Sequence, residues 1–383
     1  MGLRPLSAVV MAAGEGRRMQ SVLPKPLHVL CGRPMLLHVL DALSELAVDR
    51  AVVVVGHGAE PVTKALQEHG PPDLVIDFVE QRVQRGTGDA ASVAITAFPD
   101  DDADSTDDTD GDIVVLAGDT PLVRPATLAR LVAHHRESDA AATLLTAHAD
   151  DPTGLGRVVR ARDGRVSRIV EELDATEEER QIDEVATSIY CFRRSLLAPA
   201  LRRLSPENAK GEYYLTDVVE VLHSAGHKVL AVEADDASEA LGVNDRVQLA
   251  EAEAVLRARI NRRWMANGVT MFDPERTYVD SSVRLAPDVT LAPGVILQGR
   301  TFVAAGCRIG PDVHLIDCVV GTGARVFQSV GRDAEIGAAA TVGPFAVVPP
   351  GDHVADGRAT GAFYNGEPTD RPAPGADGPA GSV

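Results

Sequence analysis

The chain is poor in positive charge. Its 383 residues include 37 lysines and arginines against 56 aspartates and glutamates, which gives a formal net charge of −19. No basic stripe interrupts this excess of carboxylates, so we expect no nucleic-acid-binding surface. A site for an anionic ligand would have to gather a few of the cations in one place.

Long apolar runs and closely spaced cysteines are also missing. No stretch approaches the roughly 18 continuous apolar residues of a membrane-spanning helix, so we expect no membrane contact. A strand-like run begins within a few residues of the first methionine, and we therefore expect no secretory leader. The cysteines lack metal-ligand spacing and are expected to be reduced, buried thiols of a cytoplasmic protein: Cys31, Cys191, Cys307 and Cys318.

The first two thirds of the chain alternate between strand-like and helix-like segments. Continuous apolar runs at 8–11, 51–55 and 113–116 are typical of parallel strands buried on both faces. Apolar residues with helical spacing follow the first and third runs, at 35–46 and 128–132. This alternation predicts a doubly wound α/β sheet, in which ligands bind beyond the carboxyl ends of the strands.

The loop after the first strand-like run combines glycines with two cations. Residues 11–19 read MAAGEGRRM, and Arg18 and Lys25 lie within reach of one loop. Glycines let the backbone approach phosphates, and a following helix start offers unpaired N–H groups. The spacing fits neither a P-loop nor the Rossmann glycine pattern. The loop therefore indicates triphosphate binding, with a generic small-residue turn as the alternative.

Several later polar residues extend this site hypothesis. The carboxamide of Gln81 matches the imide edge of uracil or thymine, unless 81–88 is only a polar loop before a helix. Asp119 follows the third apolar run, where a carboxylate either holds Mg²⁺ or caps a helix. Glu171 offers an acceptor for sugar hydroxyls, and Asn244 offers a neutral second metal ligand. An acidic segment at 100–112 is interpreted as a solvated insertion rather than a metal cluster.

The pattern changes after a charged, helix-favouring segment at 251–265. Apolar residues then recur every six positions in three phased runs, with glycine and proline between them: Val283, Val289, Val295, Val303, Ile309, Leu315, Val330, Ile336, Val342, Val348 and Val354. A hexapeptide period of this kind predicts a parallel β-helix whose coils share one core. From about residue 361 the composition turns to proline, glycine and aspartate, which predicts a disordered tail.

Taken in order, these segments resemble the bacterial N-acetylglucosamine-1-phosphate uridylyltransferases, the GlmU type of sugar nucleotidyltransferase. The resemblance covers about 8–348 and rests on an ordered set of strings: 14–27, Glu80-Gln81, Gly86-Thr87-Gly88, Gly118-Asp119, Gly156-Arg157, Glu212-Tyr213-Tyr214 and Gly242-Val243-Asn244. It implies a Rossmann-like nucleotidyltransferase domain at 1–250 and a connecting helix at 251–267. A short left-handed parallel β-helix would follow at 268–360, and a disordered tail at 361–383.

The resemblance also implies a reaction and a role for each site residue. UMP would pass from UTP to a sugar-1-phosphate, with Mg²⁺ as cofactor and pyrophosphate as the second product. The implied roles are catalysis by Arg18 and Lys25, nucleotide binding by Ala12, Ala13, Gly14, Gln81, Gly86 and Thr87, sugar binding by Gly156 and Glu171, and metal binding by Asp119 and Asn244. N-acetylglucosamine-1-phosphate is the expected acceptor.

Three strings depart from the family pattern. Asp89 replaces a histidine and Ala117 replaces a tyrosine. The string Glu184-Val185-Ala186-Thr187-Ser188 stands where the family has Glu-Ile-Asn-Thr-Gly, so Ala186 replaces an asparagine that contacts the sugar and Ser188 replaces a glycine. These changes favour a changed acceptor, so a different sugar, a cyclitol or a phosphonate in a specialised pathway is the first alternative. A non-catalytic nucleotide-binding scaffold is the second.

The C-terminal repeat departs from the family as well. It fades after Val354, short of the further coils and the histidine that the acetyltransferase part of the family needs. We therefore expect a C-terminally truncated member without acetyl transfer. The coils that remain could still pack subunits into a homotrimer.

Overall fold

The computed structural model describes residues 4–56, 58–98 and 111–366. These fall into two compact units, one formed by Met1–Leu30 and Pro34–Ala252, the other by Cys31–Arg33 and Glu253–Val383. Most of the acidic segment expected at 100–112, and the expected tail from 367 onward, lie outside the described residues. The boundaries at residues 250, 267 and 360, between the nucleotidyltransferase domain, the connecting helix, the β-helix and the tail, stay a prediction.

The first unit is built on one large sheet with helices on both faces. Its strands are β1 (Leu6–Ala12), β4 (Arg50–Val55), β5 (Ile76–Glu80), β6 (Asp112–Ala117), β7 (Ala142–His148), β8 (Arg157–Arg160), β9 (Val166–Val170), β10 (Glu184–Arg193) and β11 (Val229–Glu233). Two short strands, β2 (Val29–Leu30) and β3 (Arg33–Pro34), form a separate two-stranded sheet. Its helices are α1 (Met35–Ser44), α2 (Glu60–His69), α3 (Thr87–Ile95), α4 (Pro125–Glu137), α5 (Glu177–Arg180), α6 (Arg194–Leu201) and α7 (Asp217–Ser224). The boundary between the units falls within α8 (Arg246–Ala266) in the sequence.

The strand order of the main sheet is β11-β7-β10-β6-β1-β4-β5. The three strands predicted from apolar runs lie side by side, and β1 runs parallel to both β4 and β6. The prediction of parallel strands buried on both faces is thereby confirmed. Strand β10 runs antiparallel to β6 and β7, so the sheet as a whole is mixed.

Alternate residues of the central strands pack against opposite helix layers. Val10 of β1 belongs to a buried cluster with leucines of α1 and α4, including Leu36 and Leu128. Its neighbour Val9 belongs to a second cluster with residues of α3, α6 and α7, including Ala94. Each fully buried valine of this kind contributes about 1.5–3 kcal/mol. The doubly wound arrangement therefore follows from strands that have no polar face.

The second unit repeats one short structural element. Its strands are β12 (Thr270–Met271), β13 (Tyr278–Val279), β14 (Arg284–Leu285), β15 (Thr290–Leu291), β16 (Ile296–Gln298), β17 (Phe302–Val303), β18 (Arg308–Ile309), β19 (His314–Ile316), β20 (Val319–Val320), β21 (Arg325–Val326), β22 (Val330–Arg332), β23 (Glu335–Ile336), β24 (Thr341–Val342), β25 (Val347–Val348) and β26 (His353–Val354). They form three parallel five-stranded sheets, taking every third strand in turn. This is the predicted short left-handed parallel β-helix.

One predicted core position of the β-helix is wrong. Val330 is 46% exposed, and the following Gly331 is the buried residue of β22. Ile296 pairs with His314, 18 residues further on, whereas His314 pairs with Val330, only 16 residues further on. This shortened coil moves the inward-facing position by one residue, so the regular period places the wrong side chain inside.

The described residues beyond β26 continue the coil. Val347 bridges to Asn365, and Tyr364 packs against the β-helix core. Residues 361–366, which the composition assigned to the tail, are thus paired with the coil before them.

All four cysteines are free and buried, as predicted. Across the described ranges, no helix combines the length and apolar character needed to cross a membrane.

Candidate active site

A cavity of about 680 Å³ opens at the carboxyl ends of the central strands of the first unit. Met11 and Ala12 contribute to it from the end of β1, and Ala117 from the end of β6. This is the edge at which doubly wound sheets bind ligands. The predicted site residues that line the cavity are Ala12, Ala13, Gly14, Lys25, Gln81, Gly86, Thr87 and Asp119.

The glycine loop after β1 needs its glycine at position 16. Gly16 has a φ of +64°, and a Cβ atom there would lie 2.6 Å from Cβ of Lys25. The close approach lets Lys25 reach the cavity from a neighbouring short helical turn. Of the two adjacent arginines, Arg17 lines the cavity and pairs with Glu15, whereas Arg18 is exposed and is not among the lining residues.

Lys25, Asp119 and Asn244 meet at one point. The Lys25 ammonium donates to Oδ2 of Asp119 and, at 2.9 Å, to Oδ1 of Asn244. The backbone N–H of Val243 donates to the carbonyl of Asp119 at 2.8 Å, which ties the 242–244 segment to the end of β6. Residues more than 200 positions apart therefore form a single charged cluster at the cavity.

The oxygens of this cluster suit a hard cation. One carboxylate oxygen and one carboxamide oxygen already converge on a single positive charge, and oxygen donors are what Mg²⁺ prefers. Over the residues that the structure describes, no group of three or more histidines, cysteines, aspartates and glutamates could hold a metal. A metal at Asp119 and Asn244 would thus share its remaining positions between water and substrate phosphates, as Mg²⁺ commonly does.

Gln81 lines the same cavity and is only 4% exposed. Its carboxamide nitrogen donates to the carbonyl of Gly86 at 3.1 Å and to Oδ2 of Asp89 at 2.8 Å. Gly86 has a φ of +110°, and a Cβ atom there would lie 2.5 Å from the carbonyl oxygen of Tyr213. Glycine is therefore required where this turn enters α3.

The segment around Tyr213 is fastened to the same turn. The Tyr213 N–H donates to the carbonyl of Arg85 at 2.8 Å, and the Gly88 N–H donates to the carbonyl of Tyr213 at 2.8 Å. Thr87 adds a third link, because its hydroxyl accepts from the N–H of Leu215 at 3.0 Å. These bonds show that the 212–214 string, whose role the residue types alone did not reveal, holds the turn at 85–88 in place.

The two predicted sugar-binding residues lie together but do not line the cavity. A Cβ atom on Gly156 would be 3.7 Å from Oε1 of Glu171. Glu171 accepts a hydrogen bond from the Thr216 hydroxyl at 3.1 Å, and burial raises the pKa of its carboxyl group. Glu171 is thus a half-buried acceptor with one hydroxyl partner beside a glycine that leaves space.

Some cavity residues were not foreseen as site residues. Gln84 lines the cavity and donates to the carbonyl of Ala13, and Glu212 also lines it. Ser188 has a φ of +60° at the point where the pairing register of β10 shifts. Its hydroxyl-bearing side chain lines the cavity in a backbone conformation that disfavours side chains. The replacement of the family's glycine by Ser188 was the available signal.

Comparisons with known proteins point to one family. The MobA-like NTP transferase domain family matches residues 8–267. "Bifunctional protein GlmU" of Desulfitobacterium hafniense is 46% identical over 357 residues, 93% of this chain and 75% of that protein. The protein of the same name from Shouchella clausii is 42% identical over 356 residues, again 93% and 75%. That of Thermobifida fusca is 47% identical over 334 residues, 87% of this chain and 68% of the relative.

Proposed function

This chain belongs to the GlmU family and is a sugar-1-phosphate nucleotidyltransferase, and on that basis we propose that it transfers UMP from UTP. N-acetylglucosamine-1-phosphate is the proposed acceptor, and UDP-N-acetylglucosamine and pyrophosphate are the products. The observation that carries the proposal is the meeting of Lys25, Asp119 and Asn244 at the cavity that Gln81 also lines.

In the proposed reaction an oxygen of the sugar-1-phosphate attacks the α-phosphate of UTP. An anionic phosphate needs no general base, so positioning and charge neutralisation supply the catalysis. Lys25 and Arg18 would neutralise phosphate charge, and Ala12, Ala13 and Gly14 would let the triphosphate lie against the backbone. Asp119 and Asn244 would hold Mg²⁺, which when bound would offset the charge that develops on the phosphates.

Gln81, Gly86 and Thr87 would bind the base, and Gly156 and Glu171 would contact the sugar. Two residues of the cavity support a different acceptor as the alternative. Ala117 and Ser188 line the cavity in place of the family's tyrosine and glycine, which changes both size and polarity there. A different sugar, a cyclitol or a phosphonate is therefore the second candidate acceptor.

The test is pyrophosphate release by the purified chain. We expect release with UTP, Mg²⁺ and N-acetylglucosamine-1-phosphate, and its loss when a chelator removes the metal. Release with another phosphate from a panel of sugar, cyclitol and phosphonate acceptors would move the assignment to the alternative. Tight UTP binding with no release for any acceptor and any nucleoside triphosphate would overturn the proposal in favour of a scaffold.

Two further expectations belong to this proposal. The chain is proposed not to transfer acetyl groups, because the hexapeptide period of apolar residues fades after Val354. Incubation with acetyl-CoA and glucosamine-1-phosphate should then release no free thiol.

A cytoplasmic setting is also proposed, since four free cysteines are typical of a reducing compartment.

We also propose that the β-helix joins three copies of the chain. Its second sheet, with strands β13, β16, β19, β22 and β25, presents Val330 and Val347 outward. At the neighbouring corner Phe345 and Phe363 stack at 5.4 Å and are 54% and 76% exposed. Light scattering should report a trimer, and Phe345→Asp with Val347→Asp should convert it to a monomer. A monomeric parent chain would refute this arrangement.

A further inference from the structure

The carboxamide of Gln81 is held in one orientation by two acceptors. Its Nε2 donates both to the Gly86 carbonyl at 3.1 Å and to the Asp89 carboxylate at 2.8 Å. A carboxamide has two N–H donors, and both partners here can only accept. Turning the amide over would place its oxygen against two other oxygens. The hydrogen-bond network therefore settles which end of the side chain is which.

This orientation leaves the carboxamide oxygen for a ligand. Within the described residues, the hydrogen bonds of the Gln81 side chain are the two donated by its nitrogen. Gln81 lines the cavity although it is only 4% exposed. An acceptor at a cavity wall that lacks a protein partner binds a ligand donor well and disfavours a ligand acceptor.

Asp89 is itself held independently of Gln81. Its other carboxylate oxygen accepts from Nη2 of Arg85 at 2.8 Å, and the side chain is 10% exposed. Asp89 also lies in the first turn of α3, where the helix dipole favours a negative charge. Two interactions therefore keep the carboxylate where the amide of Gln81 must donate to it.

We propose that Asp89 is a positioning residue that sets the base preference of the site by fixing the Gln81 oxygen toward the nucleobase. The inference rests on the proposed function, which brings a nucleotide to this cavity. Uracil and thymine offer a ring N–H to that oxygen, whereas cytosine offers a ring nitrogen lone pair at the same place.

The experiment compares UTP with CTP on four forms of the full chain. These are the parent, Asp89→Leu without an acceptor, Asp89→Asn with an acceptor retained, and Ser92→Ala. Ser92 donates to the Gly88 carbonyl at 2.9 Å, so its replacement disturbs α3 and leaves Gln81 alone. The readout is the ratio of kcat/KM for the two nucleotides, because partial misfolding lowers both values equally.

We expect the parent to prefer UTP by about 10³-fold or more, as a site with a buried acceptor should. Asp89→Leu should lower the ratio by about tenfold or more, since one of the two anchors of Gln81 is lost. Asp89→Asn should keep the ratio within about fivefold, because its carbonyl oxygen still accepts. Ser92→Ala should leave it unchanged.

Each result bears on one of the two proposals. Absence of turnover with any nucleoside triphosphate refutes the nucleotidyl transfer itself. A parent that turns over UTP and CTP alike, or an Asp89→Leu ratio equal to that of the parent, refutes the positioning role and leaves the transfer standing. Should Asp89→Leu fail to fold, Asp89→Ala serves in its place, and the same two ratios decide.

Discussion

The two units of this chain bury apolar residues in different patterns. The polar residues of the candidate site lie in the irregular loops of the first unit and not in the regular coils of the second. In the first unit, the loops after the neighbouring strands β1 and β6 and the segment that follows the edge strand β11 bring Lys25, Asp119 and Asn244 together. In the β-helix, strands of two or three residues recur at nearly constant intervals. A doubly wound sheet can therefore collect distant residues into one cavity, whereas a repeat presents similar positions again and again.

The buried polar groups show the same contrast. In the β-helix unit Asn261 donates to the carbonyls of Pro274 and Thr277 at 2.8 and 2.9 Å, which satisfies nearby backbone groups. In the first unit buried Gln81 donates from its nitrogen to two acceptors and lines the cavity. The carboxamide of Asn261 therefore fastens one stretch of backbone, whereas that of Gln81 lies where a ligand can reach it.

The largest effect should come from Asp119→Ala. Removing the carboxylate should lower kcat for pyrophosphate release by about 10³-fold or more, because charge neutralisation at the phosphates is the proposed source of catalysis. Circular dichroism should stay as in the parent, and the matched change Asp273→Ala in the β-helix unit should leave kcat intact. Retention of more than about a tenth of the activity would break the contrast between the two units.

The next effect tests position within the repeat. Leu315 is fully buried and Val330 is 46% exposed, although both continue the hexapeptide series. Leu315→Ala should lower the free energy of unfolding by about 2–5 kcal/mol, and Val330→Ala by less than about 0.5 kcal/mol. Urea unfolding followed through Trp264, the single tryptophan and a neighbour of the β-helix core, measures both. Equal losses would show that the register of β22 is wrong.

The smallest effect concerns pH and the first unit. Burial, followed by the nearby charges of Glu220, Glu171 and Asp174, raises the pKa of Asp217 from 3.8 to about 6. A raised carboxyl pKa favours the fold below the unfolded value, and that contribution is lost as pH rises through about 6. Asp217→Asn should therefore stabilise the chain by about 1–2 kcal/mol near pH 8 and by almost nothing near pH 4.

The measurement is the urea midpoint by far-ultraviolet circular dichroism at both pH values. Glu220→Gln, on the exposed side of the same helix, is the matched control and should shift the midpoint less. An equal gain for Asp217→Asn at both pH values would mean that burial does not govern this carboxyl group.

Periodicity predicted most of the fold because it reports burial directly. The apolar runs of β1, β4 and β6 can only lie between two helix layers, and six-residue spacing can only stack into coils. The antiparallel direction of β10 was missed, because alternation of residue types is the same in either direction. Val330 was misplaced because the six-residue phase breaks between Leu315 and Val330, and a pattern of apolar residues cannot show that the glycine at 331 takes the inward-facing position.

The site was predicted as residue types but not as contacts. Lys25, Gln81 and Asp119 could be proposed because cations, carboxamides and carboxylates have few uses beyond the ends of buried strands. That Arg17 and not Arg18 lines the cavity depends on the left-handed turn at Gly16. That Asp89 contacts Gln81 depends on where the turn at 85–88 enters α3. The hydrogen bonds of this turn to the 212–214 segment fix that point.

The sequence by itself determined the two kinds of core, the family and the chemical character of the site. Hydrophobic burial is set by composition and spacing, which are properties of the chain read in one dimension. Only the tertiary structure decided that one ammonium group meets both Asp119 and Asn244, and that the nitrogen of Gln81 donates to both Gly86 and Asp89. The first arrangement depends on hydrogen bonds between residues far apart in the chain, and the second depends on the course of one turn in space, which residue types alone do not specify.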